Sequence, residues 1–470
     1  MRRFISVTLS CLTLCGCMVG PDYRRPVVET PQLWRFAEKD TKDLVNTPWW
    51  EQFGDPVMSG LIETALRENK DLKIAAARVE EYRGRYAVTR APLFPQIGAG
   101  ASAGGERTTE RGQTRPAATS TNPSELYQVN FFASWEIDLW GKLRRATEAA
   151  RADLIATEEA KRGVILTLVT SVAGSYVNLA DLDRQLEIAQ RTAASRKESY
   201  RIFALRFREG YISDLELSQV KSEYEQALAT IPAIQKAIAQ QEDALSLLLG
   251  RNPGTIQRGK AIDVLGLPAV PAGLPSELLE RRPDIRQAEQ GLISANAQIG
   301  AAKAQFFPSI SLTGLFGWES IRLSKLFTGP ARIWTYAASA SQPIFTGGAI
   351  AEEVKAAEAF REEALLNYQK AIQSAFRDVD DALIDQRRTR EQLEAQARRV
   401  EALRTYARTA RIRYENGYTS YIEVLDAERS LFDAELAYTR TKGDLLQALI
   451  NLYKAMGGGW VNSLDGKTAG

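Results

Sequence analysis

Long stretches of the chain place apolar residues three and four positions apart, the spacing that puts them on one face of a helix. One such run covers residues 141–208, and no proline interrupts it. At 1.5 Å per residue it would extend about 100 Å, longer than helices in ordinary globular domains. The run therefore predicts coiled-coil-like packing along a mostly apolar stripe. Its members are Val164, Leu168, Val172, Ser175, Leu179, Leu182 and Leu186.

This run ends at a glycine turn, after which a second helix is predicted from about Ser213 to Leu249. Pro232 lies inside the second helix and is expected to kink or break it. The same pattern of long helix, glycine and helix occurs again near the carboxyl end, where residues 413–418 match residues 206–211. The later pair of helices covers about 347–456, with its turn at Gly417.

The similarity between the two halves also extends upstream of the long helices. Residues 282–286 correspond to residues 69–73, and residues 304–310 correspond to residues 91–97. Both pairs are separated by 213 residues, and we expect this spacing to hold throughout without a gap. A fixed spacing over such a distance indicates an internal duplication.

Two other stretches alternate apolar and polar residues, which is the period of a β-strand. In residues 127–139 the apolar side chains face one way and the polar ones the other, with Phe132 as the exception. Strand pairs are predicted within about 97–139 and about 309–345, the first pair joined by a long polar loop. Half-apolar strands of about ten residues with long polar loops are typical of a transmembrane β-barrel.

Four strands from one chain cannot close a barrel, and open strand edges are not tolerated in hydrocarbon. Two copies would supply eight strands, a barrel filled by its own side chains, whereas three would supply twelve and leave a lumen. The alternative is a single-chain helical protein with two surface hairpins. That protein would expose the apolar face of residues 127–139 to water.

The repeats and the Pro/Gly-rich stretches set the expected boundaries of the chain. An extended segment with tryptophan anchors is predicted to wrap the body, and Asp71 is the predicted cap of a helix that begins after a break at residues 69–72. The ranges are a signal peptide (1–16), the extended segment (17–56), the first repeat (57–250, with strands about 97–139 and long helices about 141–249), a connector (251–275), the second repeat (276–460, with strands about 309–345 and long helices about 347–456) and a mobile tail (461–470).

The charge and the absence of histidine exclude several classes of function. The chain has 60 Lys and Arg residues against 58 Asp and Glu residues, so it lacks the basic balance of a nucleic-acid-binding protein. It contains no histidine, the commonest general base and metal ligand. It also has no phosphate-binding loop. We therefore expect no enzyme activity, no cofactor and no metal site.

All three cysteines lie within the first 17 residues. A charged start, a short apolar run and Gly16 before Cys17 are typical of a lipoprotein signal peptide. The sequence predicts cleavage before Cys17 and lipid on its sulfur, and Met18 in place of an aspartate permits transport to an outer membrane. The alternative is an ordinary signal peptide with an incidental cysteine.

Several motifs together resemble the outer-membrane factor (TolC-like) family, in particular its OprM/NodT-type lipoprotein branch. The resemblance covers essentially the whole mature chain. It implies a homotrimer with a 12-stranded β-barrel and a 12-helix periplasmic α-barrel, and it places the connector in an equatorial domain. The motifs are the lipobox at Cys17, residues 20–23, 281–285, 306–310, 421–432 and 452–460.

The resemblance implies a passive exit duct in the Gram-negative outer membrane, lipid-anchored and extending into the periplasm. The duct would carry small molecules such as drugs from an RND-type inner-membrane transporter and a periplasmic adaptor. Two alternatives stay open: an exit duct for type I protein secretion, and a structural envelope lipoprotein without a pore.

Acidic residues follow the second glycine turn. Glu423 and Asp426 are spaced to share one helix face, and in a trimer each would form a ring of three carboxylates that favours cations. The resemblance implies that these rings are the periplasmic gate, with Ile422 at an apolar constriction. Glu216 matches Glu423 in the first repeat, but Gln219 replaces the second acid there. Alternatively, these acids are solvated groups near a helix start.

The turns themselves carry the other candidate site. Gly210 and Gly417 stand where helices end in the left-handed conformation, and each is followed by a tyrosine, Tyr211 or Tyr418. The resemblance implies that hairpins of the periplasmic adaptor dock at these tips, which is compatible with their role as simple helix ends.

Overall fold

The computed structural model describes residues 18–31, 34–36, 48–109, 111, 123–268 and 275–457. The lipid site predicted at Cys17 and the tail predicted after residue 460 lie outside these ranges. The elements, in chain order, are α1 (Pro56–Glu68), α2 (Lys70–Arg90), β1 (Gln96–Glu106), β2 (Ser124–Ile137), α3 (Lys142–Arg208), α4 (Asp214–Leu248), α5 (Leu278–Arg281), α6 (Pro283–Ala304), β3 (Ser309–Ser320), β4 (Arg332–Ser341), α7 (Ala349–Glu415) and α8 (Tyr421–Ala455).

The chain forms two compact units, and each takes segments from both halves of the sequence. The sheet unit contains the four strands, and the hairpin unit contains most of the long helices. The predicted ranges of the two repeats therefore do not coincide with compact units. The sheet unit is Met1–Val27, Val79–Thr157 and Gln287–Tyr368; the hairpin unit is Val28–Arg78, Glu158–Arg286 and Gln369–Gly470.

The duplication is visible in the lengths of the helices. The helices α3 and α7 both have 67 residues, α4 and α8 both have 35, and each pair is offset by 207 positions. The strands β1 and β3, by contrast, begin 213 positions apart. The expectation of a gap-free repeat was therefore wrong. The segment between β1 and β2 has 17 residues and that between β3 and β4 has 11, and loops at strand ends tolerate such length changes.

The four strands form one antiparallel sheet in the order β1-β2-β3-β4. Residues directly opposite each other on neighbouring strands point to the same face of the sheet. The register places apolar residues opposite apolar residues, so they form one face. Phe131, for example, lies opposite Phe316, which in turn lies opposite Trp334. Phe132 interrupts the polar face because its ring covers Gly98, where an added Cβ would lie 2.4 Å from the ring.

The largest core cluster lies in the hairpin unit. A short 3₁₀ helix, Trp49–Phe53, inserts its aromatic side chains between the long helices, and Trp49 stacks on Tyr453 with ring centroids 5.2 Å apart. The segment predicted as extended is thus partly helical here. The aromatic residues that suggested an ordered segment are the ones that the core buries, as their apolar area favours.

Two local predictions need correction. Asn69, not Asp71, caps α2: its Oδ1 accepts the backbone N–H of Leu72 at 2.9 Å, and its amide nitrogen donates to the carbonyl of Leu248 at 2.8 Å. Asn69 has a non-helical ψ of 135°, as a cap requires, whereas Asp71 is already inside the first turn. Pro232 does not break its helix, since α4 continues through it.

A buried arginine joins three parts of the hairpin unit. Arg282 pairs with Asp284 at 2.7 Å and Asp378 at 3.1 Å, and it donates to the carbonyl of Ala455 at 3.2 Å. Two carboxylates and a carbonyl thus satisfy a guanidinium that would be costly to bury alone. The contact fixes the carboxyl end of α8 beside the start of α6.

One helix in the described ranges, α3, contains an apolar window long enough to cross a membrane. Of that window, 61% is buried inside the protein. Its side chains Val169, Val172 and Leu179 belong to the large core cluster.

Candidate functional site

The two helix turns are built by the same hydrogen bonds. Tyr211 N–H donates to the carbonyl of Arg206 and Tyr418 N–H to the carbonyl of Arg413, each at 2.9 Å. Gly210 and Gly417 have φ angles of 76° and 77°. This is the Schellman arrangement, in which a left-handed glycine lets the chain reverse and satisfies the last helix carbonyls. The two tyrosine rings are strongly exposed, at 81% and 77%.

The turns differ in how the following helix begins. Ser213 and Glu216 form a capping box: the Glu216 carboxylate accepts Ser213 N–H at 2.9 Å, and the Ser213 hydroxyl accepts Glu216 N–H at 3.3 Å. The side chain of Ser420 forms no cap hydrogen bond at the start of α8. Glu216 is therefore engaged in local structure, while no hydrogen bond or ion pair holds the Glu423 side chain within the described residues.

The start of α8 has one buried and one exposed face. Tyr421, Val424 and Ala427 are buried in a cluster with residues of α3, α4 and α7. Glu423 and Asp426 lie on the exposed face, together with Ile422, which is 57% exposed. The structure thus brings the three predicted gate residues of the second repeat together on one surface.

The acids near this tip are not equivalent. Asp426 pairs with Arg429 at 2.8 Å, and both side chains are about half exposed. Glu428, two residues further and partly buried, pairs with Arg411 of α7. The charge of Asp426 is therefore partly offset by a neighbouring cation, so Glu423 offers the freer carboxylate.

Aromatic residues connect the two tips. The Phe203 ring lies 4.1 Å from that of Tyr421, which lies 4.9 Å from that of Tyr414. The Arg206 guanidinium donates to the Tyr414 hydroxyl at 2.8 Å. This contact spans 208 positions, and nothing in the local pattern indicated it. The matching position in the first repeat is Phe207, which has no hydroxyl, so an equivalent hydrogen bond cannot form there.

One exposed apolar residue near the first turn was not among the sites predicted from the sequence. Leu215 is 67% exposed at the position that matches Ile422 in the first repeat, so each repeat presents one large apolar side chain just after its turn. The repeat alignment was a signal that would have found it.

The sheet unit presents a second candidate surface, its continuous apolar face. On β3 this face runs from Ile310 to Trp318, and the eight steps between these residues cover about 26 Å at 3.3 Å per residue. That length matches the apolar band of about 25 Å on membrane β-barrels.

Aromatic residues lie at both ends of the apolar face. At the end that leads into the helices, Trp140 stacks on Phe307 with centroids 4.8 Å apart and donates to the carbonyl of Pro308 at 2.9 Å. At the other end, Trp318 contacts Phe327 at 5.7 Å. Aromatic girdles with a satisfied polar edge are typical of membrane–water interfaces.

The described residues contain no cluster of acidic or cysteine side chains that could hold a metal ion. Among the same residues, neither candidate surface contains paired acid–base groups or a nucleophile beside a base.

A family model described as outer membrane efflux protein matches residues 61–251 and 274–458. The chain belongs to the outer membrane efflux protein family. The two matched segments contain all four strands and both long helical hairpins, and the unmatched residues between them fall in the connector. This family consists of outer-membrane channels and not of enzymes, and membership implies work with an adaptor and an inner-membrane transporter.

Relatives and solved structures agree with this family. The cation efflux system protein CusC of Escherichia coli is 37% identical over 463 residues, covering 96% of this chain and 97% of its own. The probable efflux pump outer membrane protein TtgC of Pseudomonas putida is 34% identical, covering 98% and 96%. The open state of the Neisseria gonorrhoeae MtrE outer membrane channel is 32% identical, with a TM-score of 0.85, covering 94% and 99%.

These findings confirm the resemblance, the mainly helical fold with an internal repeat, the outer-membrane location and the efflux role. The protein is an outer-membrane efflux channel. The gate residues, the docking tips and the domain boundaries stay predictions, because similarity over the whole chain does not test the role of a single position.

Proposed function

We propose that three copies of this chain form one exit duct that passes small molecules across the outer membrane. The observation that carries this proposal is the four-stranded sheet with an apolar face. In the described ranges β1 pairs only with β2 and β4 only with β3, so both outer strands have an unpaired edge. Edges of this kind need partners in a hydrocarbon layer, and three copies supply the twelve strands of a barrel with a lumen.

The partners follow from the family and from the absence of an energy source in the chain. A passive duct needs a transporter in the inner membrane, and we assign an RND-type transporter joined through a periplasmic adaptor. The names of the relatives include cation, toluene and antibiotic efflux, which supports small solutes as cargo. Lipid on Cys17 would anchor each copy to the membrane.

The gate is assigned to the exposed acids after the second turn. Three copies would place three Glu423 carboxylates around the tunnel axis, with Asp426 one turn further and Ile422 beside them. Carboxylate rings in a narrow pore favour cations. Because Asp426 already has an arginine partner, Glu423 is expected to dominate, and Glu216 is a weaker contributor because it caps its own helix.

The adaptor is assigned to the tips. Gly210 and Gly417 hold two similar turns, and each presents an exposed tyrosine, Tyr211 or Tyr418. Exposed aromatic residues on a rigid turn suit a protein contact, because they bury much area at a low entropic cost. Cross-linking from cysteines at Ser213 and Ser420 tests this docking, and failure to capture an adaptor from either position would count against it.

The duct itself is tested with purified protein. We expect the mass of a trimer in detergent and discrete conductance steps in planar bilayers. A structural lipoprotein without a pore would give no conductance. A secretion duct would conduct as well, but its deletion would stop protein export and leave drug susceptibility unchanged, whereas loss of an efflux duct raises susceptibility.

A further inference from the structure

The loop between β3 and β4, residues 321–331, lies at the end of the sheet opposite to the helices, because all four helix connections leave from the other end. The loop is tightly folded. Lys325 N–H donates to the carbonyl of Arg322 at 3.0 Å, the Thr328 hydroxyl donates to that of Lys325 at 2.7 Å, and Ala331 N–H donates to that of Thr328 at 3.1 Å. These hydrogen bonds form two 3₁₀ turns, so the backbone that carries the side chains of this loop is ordered.

The loop folds toward the apolar face of the sheet. Phe327 packs edge-on against Trp318, which belongs to that face, and Phe327 is itself 70% exposed. Ile321 and Leu323 are also exposed large apolar side chains. Three such residues on a short loop form an apolar patch that continues the apolar face instead of ending it.

Three cations lie among these apolar residues. Arg332 is directly opposite Trp318 in the strand register and so shares the apolar face, while Arg322 and Lys325 extend from the loop. All three are exposed, and their side chains have no hydrogen-bond or ion-pair partner within the described residues. We call the set of Ile321, Arg322, Leu323, Lys325, Phe327 and Arg332 the outer rim.

Few acids balance these cations. Glu319 is the only acid in residues 309–351, and it lies on the polar face, where Gln128 approaches it at 3.5 Å. Glu125 on the neighbouring strand accepts the hydroxyl of Tyr127 at 3.2 Å. Within the described ranges neither acid forms an ion pair with the outer rim, whose three cations lie beside exposed apolar groups.

We propose that the outer rim binds a membrane lipid whose phosphate-bearing headgroup carries a net negative charge. The cations would contact the phosphate, while Phe327, Trp318 and Leu323 would pack on the acyl chains. A soluble anion would contact only the cations, whereas a lipid would contact both the cations and the apolar side chains. Arginine, lysine and tryptophan are favoured at the depth of the lipid headgroups. This inference rests on the proposed function, in which the apolar face meets hydrocarbon.

The test measures binding of lipid A, a phosphorylated glycolipid, to the purified full-length protein in detergent by native mass spectrometry. Arg322→Gln, Lys325→Gln and Arg332→Gln are combined in one rim variant. At about fivefold per cation, the rim variant is expected to bind lipid A roughly 100-fold more weakly. Phosphatidylcholine, whose headgroup is zwitterionic, is expected to bind wild type and rim variant alike.

The matched control combines Arg83→Gln, Arg85→Gln and Lys355→Gln, which removes the same charge from helix cations that pair with acids. Lipid A binding should be unchanged in this variant. An exchange variant, Arg322→Lys with Lys325→Arg and Arg332→Lys, keeps the charge and should bind within about threefold of wild type.

Three results would overturn the proposal. The rim variant could bind lipid A as tightly as wild type, the control variant could lose as much lipid A binding as the rim variant, or millimolar inorganic phosphate could displace lipid A. The last result would indicate a simple anion site. Conductance separates this inference from the proposed duct. A rim variant that conducts normally but loses lipid A supports the lipid site, whereas a wild type that does not conduct contradicts the duct regardless of lipid binding.

Discussion

The hydroxyl of Tyr176 donates a 2.8 Å hydrogen bond to Oδ2 of Asp55, a carboxylate that is only 1% exposed. The other oxygen of Asp55 accepts Val57 N–H at 2.8 Å and caps α1. Tyr176 also accepts Gly259 N–H at 2.8 Å. One buried pair thus connects α1, α3 and the connector, and burial raises the pKa of the Tyr176 hydroxyl, which keeps it a donor.

Replacing Tyr176 by phenylalanine should destabilise the hairpin unit. The change removes a donor from a buried carboxylate and an acceptor from Gly259, at a cost of about 1–3 kcal/mol. Thermal unfolding of the detergent-purified variant, followed by circular dichroism, measures the loss. Tyr418→Phe is the control because that ring is 77% exposed, and its midpoint should not move. Equal midpoints for both variants would contradict a structural role for the pair.

Asp181 should make stability depend on pH between about 4 and 6. It is 7% exposed, and burial raises its pKa to about 6, with Asp444 adding repulsion while Gln185 and Arg440 oppose the shift. The folded state then holds a proton that the unfolded state has lost, so stability falls as pH rises through this window. Asp181→Asn should remove that slope and gain on the order of 3 kcal/mol at pH 7.

Denaturant unfolding at several pH values measures this effect. Asp243→Asn is the control, because Asp243 is exposed on α4 and has no side-chain partner among the described residues. It should retain the slope of the wild type. A slope that persists in Asp181→Asn would mean that other groups, such as Asp444, dominate the titration, and the prediction would fail.

The acids near the tips should differ in what they control. Glu423→Gln should lower the preference for K⁺ over Cl⁻ in planar bilayers more than Asp426→Asn does, because Arg429 already offsets Asp426. Glu216→Gln should change selectivity least and instead cost about 1 kcal/mol of stability, because it weakens the capping box.

Reversal potentials in a salt gradient measure the selectivity, and thermal midpoints measure the stability. Glu225→Gln, an exposed acid further along α4, serves as the control and should alter neither. If Glu423→Gln together with Asp426→Asn leaves conductance and cation preference intact, these acids do not form the gate.

The turn glycines are predicted to be required for their backbone angle and not for space. No atom lies within 4 Å of a Cβ added at Gly210 or Gly417, yet both have positive φ. Either alanine substitution should cost about 1–2 kcal/mol. Asparagine should be tolerated better at the same positions, since its side chain permits the left-handed conformation.

Gly84 provides the matched control for these substitutions. It lies inside α2, it is also free of neighbours within 4 Å, and its φ is not positive. Gly84→Ala should therefore stabilise the protein by about 0.5–1 kcal/mol in the same thermal assay. If Gly417→Ala raised the midpoint as Gly84→Ala does, the turn would not need its left-handed residue.

The sequence by itself determined the features that depend on local periodicity. Apolar spacing identified the long helices, alternation identified the strands, and the repeated glycine turns identified the duplication. These signals can be read from short stretches because side chains on one face of a helix or strand recur at a fixed period and share one environment, either apolar or polar. The same logic led to the proposal of three copies, since four strands with free edges need further copies to close a barrel in hydrocarbon, and twelve strands leave a lumen.

Only the tertiary structure decided which side chains pair over long distances. The amide of Asn69, the cap of α2, is held by the carbonyl of Leu248. The Arg206–Tyr414 hydrogen bond joins the two repeats. The ion pair with Arg429 partly offsets the negative charge of Asp426. The six-residue difference between the strand loops also became visible only once the strand ends were fixed. Hydrogen bonds and ion pairs act over about 3 Å, so they depend on how distant segments meet, which periodicity along one segment does not encode.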